Sequence, residues 1–158
     1  MKALALTILI SLVLACSTPP QAGIADFWAD FQKAVAANNK EAVADMTLFP
    51  FGGTDGMAEN IGVNGMTREQ FLAFYDQIFD EKVKATIAQT SVNELNKYTP
   101  PKDAALESMK LPANTAVYSF MVAYIFDEGM ETQTESTVTF YFLKQKNGIK
   151  LAYMQIAG

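Results

Sequence analysis

Up to Pro112 the apolar residues of this chain recur every three to four positions, and beyond it they recur every second position. The first spacing buries one side of a helix and the second buries one face of a strand, so a segment written for one does not serve as the other. Helices must come first and strands last. That order gives an α+β class, with N-terminal helices packed on a curved antiparallel sheet.

In FWADFQKAVAANN the side chains of Phe27, Trp28, Phe31, Ala34 and Val35 fall on one helical face. The helix is expected to end near Asn38 and Asn39, and KEAVADM to form a second, shorter one with Val43 and Met46 inward. LFPF stops it, because the residue before Pro50 is pushed out of the α region. Phe49 and Phe51 then plug the core. GGTDGMAENIGVNG has five glycines in fourteen residues and reads as a loop; it lacks the GK[ST] ending of a phosphate cradle. Thr67 and Gln70 in MTREQF make a capping box, with Met66 and Phe71 as the flanking staple. Phe71, Phe74, Tyr75 and Ile78 line the helix that follows, widened by Leu72 and Phe79, and Asp80 can cap another through Val83 and Ile87. YTPP interrupts regular structure, and DAALESM supplies at most one helical turn.

After Pro112, NTAVYSFMVAYIF, STVTFYFLK and IKLAYMQIA read as a three-stranded antiparallel meander from Ala113 to Ala157, with Asn147-Gly148 as the last hairpin. Val138, Phe140 and Phe142 share one face, and Thr137, Thr139 and Tyr141 the other. In the first strand both alternating sets are apolar, so something is expected to cover the second sheet face. A homodimer through the sheet is the simplest cover, and an envelope protein the other.

The N-terminus narrows the location. Ala3 to Ala15 carry no charge and follow a single lysine, Lys2, which is the layout of an export leader. Thirteen helical residues reach about 20 Å, short of a ~30 Å hydrocarbon core. Val13-Leu14-Ala15-Cys16 resembles a bacterial lipobox, and that resemblance implies a cut before Cys16, acylation of its sulfur and acylation of the new amine. Residues 1–15 are then the leader, 16–24 the lipidated cysteine and tether, and 25–158 the folded domain. Cys16 is the chain's only cysteine, and lipidation accounts for an unpaired thiol in an oxidising compartment. Two or more acyl chains hold a protein stably on a membrane. Ser17, where Asp is typical of inner-membrane retention, implies by resemblance the outer membrane facing the periplasm, in a cell that has one.

The chain carries 12 basic and 17 acidic side chains and no histidine. Its formal balance of −5 repels phosphate backbones, which disfavours nucleic acid, and repels anionic headgroups too. Membrane attachment is left to the acyl chains. The lack of histidine removes Ser-His-Asp and Cys-His chemistry and histidine-dependent metal sites, and no cofactor motif is present.

FWADFQKAVAANNKEAVADMTLFPF and FYFLKQKNGIKLAYMQIAG, read as helix, short helix, Phe-Pro-Phe, then hairpin and last strand, resemble the nuclear transport factor 2-like (SnoaL-like) superfamily. The resemblance implies a cone of curved sheet around a pocket closed by helices, and frequent dimerisation through the sheet. Its enzymes use an Asp or His base deep in that pocket. Trp28, Phe31, Tyr75 and Tyr118 are the candidate pocket residues for a small apolar ligand, and Asp45 is the candidate acid. Asp26 with Asp30, and Glu41 with Asp45, share helix faces and read as solvated pairs. Asp127, Glu128, Glu131 and Glu135 lack the spacing of a calcium loop and read as a solvated turn. The expected role is a membrane-anchored, non-enzymatic module binding a small apolar ligand or an envelope partner. The alternatives are a carboxylate-dependent isomerase or dehydratase and a structural assembly lipoprotein.

Overall fold

The computed structural model describes residues 23–52, 65–98, 111–112, 114–126 and 134–157. The leader, Cys16, the interior of the glycine-rich loop, DAALESM, and Asp127, Glu128 and Glu131 lie outside the described residues. Helices α1 (Ile24–Ala36) and α2 (Lys40–Asp45) lead into strand β1 (Thr47–Gly52). Helices α3 (Arg68–Ile78) and α4 (Glu81–Gln89) follow, then a 3-10 turn, Val92–Glu94, and strand β2 (Asn96–Tyr98). Strands β3 (Val117–Phe126), β4 (Thr134–Gln145) and β5 (Gly148–Ala157) complete the chain. The class is α+β.

The local signals act as chemistry requires. Asn38 takes a left-handed φ of 50°, and the N–H of Asn39 donates to the Ala34 carbonyl at 2.9 Å, closing the end of α1. Asn39 then turns its side-chain oxygen to the Ala42 N–H at 3.1 Å and starts α2. At α3 the Gln70 N–H donates to Thr67 Oγ1 (3.3 Å), and the Thr67 N–H donates to Gln70 Oε1 (2.9 Å). The carboxylate of Asp80 caps α4 through the Val83 N–H at 2.8 Å.

The sheet order is β1-β5-β4-β3-β2. β3, β4 and β5 form the expected antiparallel meander, but the sheet is mixed. LFPF, read from sequence as a plug, lies within β1 and pairs parallel with β5, with Thr47 opposite Leu151. Phe51 still fills the core from that strand at 0% exposure, while Phe49 is half-buried against Phe71. A register shift between Tyr141 and Phe142 against β5 marks a bulge, a device that bends a strand. The last hairpin closes through Gln145 opposite Gly148, and Gly148 supplies the positive φ (121°) that a side chain resists. A second clasp joins Phe51 and Met66 by two backbone bonds of 2.9 and 2.8 Å. Gly65 enters it at φ 79°, where an added Cβ would stand 2.6 Å from the Phe51 carbonyl oxygen.

The helices cover one sheet face. Phe120 and Val122 of β3, Phe140 and Phe142 of β4, and Leu151 and Met154 of β5 meet Phe27, Trp28, Phe31, Phe71, Phe79 and Val83. Phe142 is the node: its ring lies 5.3 to 6.0 Å from those of Phe27, Trp28, Phe31 and Phe120. Helix α1 also seals the far end of α4. Trp28 Nε1 donates to the Thr90 carbonyl at 2.9 Å, and Gln32 Nε2 donates to the carbonyls of Ile87 and Thr90 at 2.7 and 2.9 Å. The far sheet face has its own small cluster of Val117, Tyr141, Leu143 and Ala152, with Leu48, Leu111 and Tyr153 against it.

Truncating Phe142 to Ala leaves a cavity among four rings. A loss of about 3–5 kcal/mol in urea unfolding is expected, against a near-neutral outcome for an exposed site such as Glu135→Gln. Three exposed carboxyls lie below their ordinary range. For Glu69 the main cause is a backbone hydrogen bond, for Asp76 the Lys40 ammonium, and for Glu94 the Ser91 N–H. The unfolded chain takes up these protons first, so stability falls as pH drops below about 4.5. Asp76→Asn should flatten part of that acid slope in pH-dependent melts.

Candidate functional site

The space between helices and sheet, where the sequence reading placed a pocket, is occupied by aromatic rings. Phe31, Phe71, Tyr75, Phe79, Phe140 and Phe142 are all at 0% exposure. Their rings follow one another at 4.8 Å (Tyr75–Phe79), 5.7 Å (Phe79–Phe140) and 6.1 Å (Phe31–Phe79). Trp28, Phe31 and Tyr75 are therefore members of the core. Tyr118 is half-buried at its margin, with Lys97 Nζ 6.0 Å from its ring centre.

One polar atom in this packing has no partner. The Tyr75 hydroxyl is buried without a hydrogen bond, and burial, then the charge of Asp76, pushes its pKa up to about 12. Over the same ring stands Lys40 Nζ, 5.4 Å from its centre, which also pairs with Asp76 at 2.7 Å.

The carboxylates stand outside the core. Asp45 sits at the exposed end of α2, 2.9 Å from Arg68, which also holds Glu41 at 2.7 Å. Its backbone carbonyl accepts from Lys150 Nζ. Asp45 thus belongs to a charged seam joining α2, α3 and β5. Asp26 accepts from the Gly23 N–H at 3.2 Å. Glu135 is exposed on β4. Asp30 lines a depression of about 250 Å³ with Lys33, Ala34, Ala37, Asn39, Ala42 and Met46, on the outer side of the α1–α2 junction.

Sequence reading missed one tertiary pair. Tyr124 on β3 donates its hydroxyl to Asp80 Oδ2 at 2.8 Å, while Asp80 Oδ1 caps α4. Burial raises the Tyr124 pKa, as does the Asp80 carboxylate, and Lys82 Nζ lies 4.8 Å from the ring centre. The cap was legible in Asp80 itself, but a partner 44 residues away was not.

On the far sheet face Val117 of β3, Tyr141 and Leu143 of β4 and Ala152 of β5 are buried, and Tyr141 donates to Gln155 Oε1 at 2.7 Å. Toward the end of β3 the face opens: Met121 is 56% and Ile125 59% exposed. Among the described residues no three Cys, His, Asp or Glu side chains are grouped to hold a metal ion, and no helix is long and apolar enough to cross a membrane.

If the Tyr75 hydroxyl is an unsatisfied donor, its removal costs the fold nothing. Tyr75→Phe is expected to leave stability unchanged or raise it by about 1 kcal/mol or more. A clear drop in the urea midpoint would show that the hydroxyl has a partner in solution.

No protein-family model matches this chain, and no curated protein matches it. Several solved structures resemble it, among them the following two. One is a Xanthomonas campestris protein described as a calcium/calmodulin-dependent protein kinase II association domain, 14% identical, with 87% of this chain and 89% of that chain covered at a TM-score of 0.41. The other is a Pseudomonas putida protein described as a polyketide cyclase, 12% identical, with 87% and 92% covered at a TM-score of 0.40.

Proposed function

We propose that this protein is a lipid-anchored, non-enzymatic binding module of the bacterial cell envelope, built on a nuclear transport factor 2-like cone and working through protein association. Acyl chains on Cys16 hold it to the membrane, on the periplasmic side of the outer membrane where there is one. The tether from Ser17 to Ile24 spans less than ~30 Å when extended, so the domain acts close to the bilayer.

The observation that supports the non-enzymatic part is the aromatic packing beneath the helices, where Phe31, Phe71, Tyr75, Phe79, Phe140 and Phe142 are buried. General acid–base chemistry needs a titratable group facing a space that a substrate enters. Here rings fill that space, and Asp45 and Glu41 instead share Arg68 at the surface. What the domain does offer is apolar surface on the sheet, at Met121 and Ile125. Exposed apolar side chains gathered on one sheet face suit an association surface. A second reading, a small apolar ligand entering the core, has one observation in its favour: the unpartnered Tyr75 hydroxyl would find an acceptor on such a ligand.

The anchor is tested on the full chain. Cys16→Ser should leave an unprocessed precursor or release the domain to the soluble fraction, and the wild-type mature protein should begin at an acylated Cys16 by mass spectrometry. A bare thiol there, or normal membrane retention of the variant, would reject lipidation.

A further inference from the structure

Strand β3 runs for ten residues in unbroken register with β4, from Val117 opposite Leu143 to Phe126 opposite Thr134. On its outer side β2 pairs only with Val117, Tyr118 and Ser119. Among the described residues, no strand pairs with the remaining stretch, Phe120 to Phe126. This stretch reads FMVAYIF. It contains no charge, no proline and no bulge, which are the devices that ordinarily keep an edge strand from pairing with another chain.

The stretch is also close to a palindrome in size and polarity. Around Ala123 the order is Val and Tyr, then Met and Ile, then Phe and Phe. A strand that meets its own copy antiparallel about a two-fold axis must be self-complementary in this way, because each residue faces its mirror position. With the axis at Ala123, Phe120 faces the partner's Phe126, Met121 faces the partner's Ile125, and Val122 faces the partner's Tyr124. Each is an aromatic or aliphatic cross-strand pair of the favourable kind. The pairing window opens where β2 stops, at Phe120, and closes where β3 ends, at Phe126. The centre of that window is Ala123, so the geometry of the edge and the symmetry of the sequence select the same axis.

We propose that the occupant of this edge is a second copy of the chain, joined β3 to β3 into one continuous ten-stranded sheet. This names the partner left open by the association reading above and rests on it. The arrangement gathers Met121 and Ile125 of both copies into one patch on the far sheet face. These are two of the three large hydrophobic side chains that the described domain leaves exposed, Ile156 being the third. No residue of the strand within the pairing window is charged, and the Asp80 carboxylate that accepts from Tyr124 has the Lys82 ammonium over the same ring.

The test uses the full lipidated chain in detergent micelles, read by light scattering corrected for detergent and by non-reducing gels. Ala123 is exposed, so substitutions there spare the core. Residues directly opposed across an antiparallel pair have Cα atoms about 4.5–5.5 Å apart, within the span of a disulfide. Ala123→Cys should therefore give a covalent dimer on oxidation. Met121→Cys alone should not, since its two copies lie about 13 Å apart along the strand direction, but a mixture of Met121→Cys and Ile125→Cys chains should. Ala123→Lys puts two like charges at the axis and is expected to halve the measured mass, whereas Thr139→Lys, on the same face but one strand inward, should keep the dimer.

A dimer lost in Thr139→Lys and kept in Ala123→Lys would mean face-to-face packing and would overturn the edge pairing. So would equal cross-linking of Ala123→Cys and Met121→Cys alone, or a wild-type chain that stays monomeric. In that last case, an acylated Cys16 in the same preparation would leave the anchored-module reading intact, so the two failures are separable.

Discussion

The fold depends on one aromatic side chain meeting four others. Phe142 projects from β4 and packs on Phe27, Trp28 and Phe31 of α1 and Phe120 of the neighbouring strand. Helix α1 is thereby fixed on the central strands of the sheet, and its other ties follow from that placement. Trp28 and Gln32 reach the last carbonyls of α4 only because Phe27 and Phe31 are seated on Phe142. Helix α4 in turn holds the outer side of the sheet through Asp80 and Tyr124. Dispersion and apolar burial supply the strength, and the hydrogen bonds supply the angle.

Most of this was legible because it is written in local chemistry. The switch of period at Pro112, the Thr67–Gln70 box, the Asp80 cap and the alternation of Val138, Phe140 and Phe142 each act within one turn or one strand. What was hidden needs contacts between distant residues. Nothing in TLFPFG says that it lies parallel to β5, because a short apolar run around a proline serves equally as a plug or an edge strand. Gln32 looks like a solvated helix residue until Ile87 and Thr90 arrive from 55 and 58 positions away.

The candidate site was less legible than the fold, and for a physical reason. Trp28, Phe31 and Tyr75 have the same signature whether they line a cavity or fill one, since both environments select large apolar rings at helical spacing. Whether a cone stays open depends on the volume of the side chains that face one another across it. In this chain Phe79 and Phe140 stack at 5.7 Å and Tyr75 lies 4.8 Å from Phe79, so these rings pack on one another. Asp45 directly precedes Met46 in the sequence, and the residue that decides its environment, Arg68, belongs to the next helix.

Anchoring and edge pairing would reinforce one another. An edge of seven residues is a modest interface, and two chains diffusing in a volume would use much of its free energy to come together. Confinement to a surface by a tether shorter than ~30 Å changes the balance, because both copies already share a narrow layer and their effective concentration rises. A strand edge with no charge or proline to shield it is a liability in a protein that diffuses freely, since it can pair with any extended chain. Held beside a membrane among copies of itself, the same edge meets chiefly its own complement. The proposed pairing of FMVAYIF and the proposed acylation of Cys16 would then be two parts of one arrangement: the sulfur would fix where the copies are, and the strand how they join.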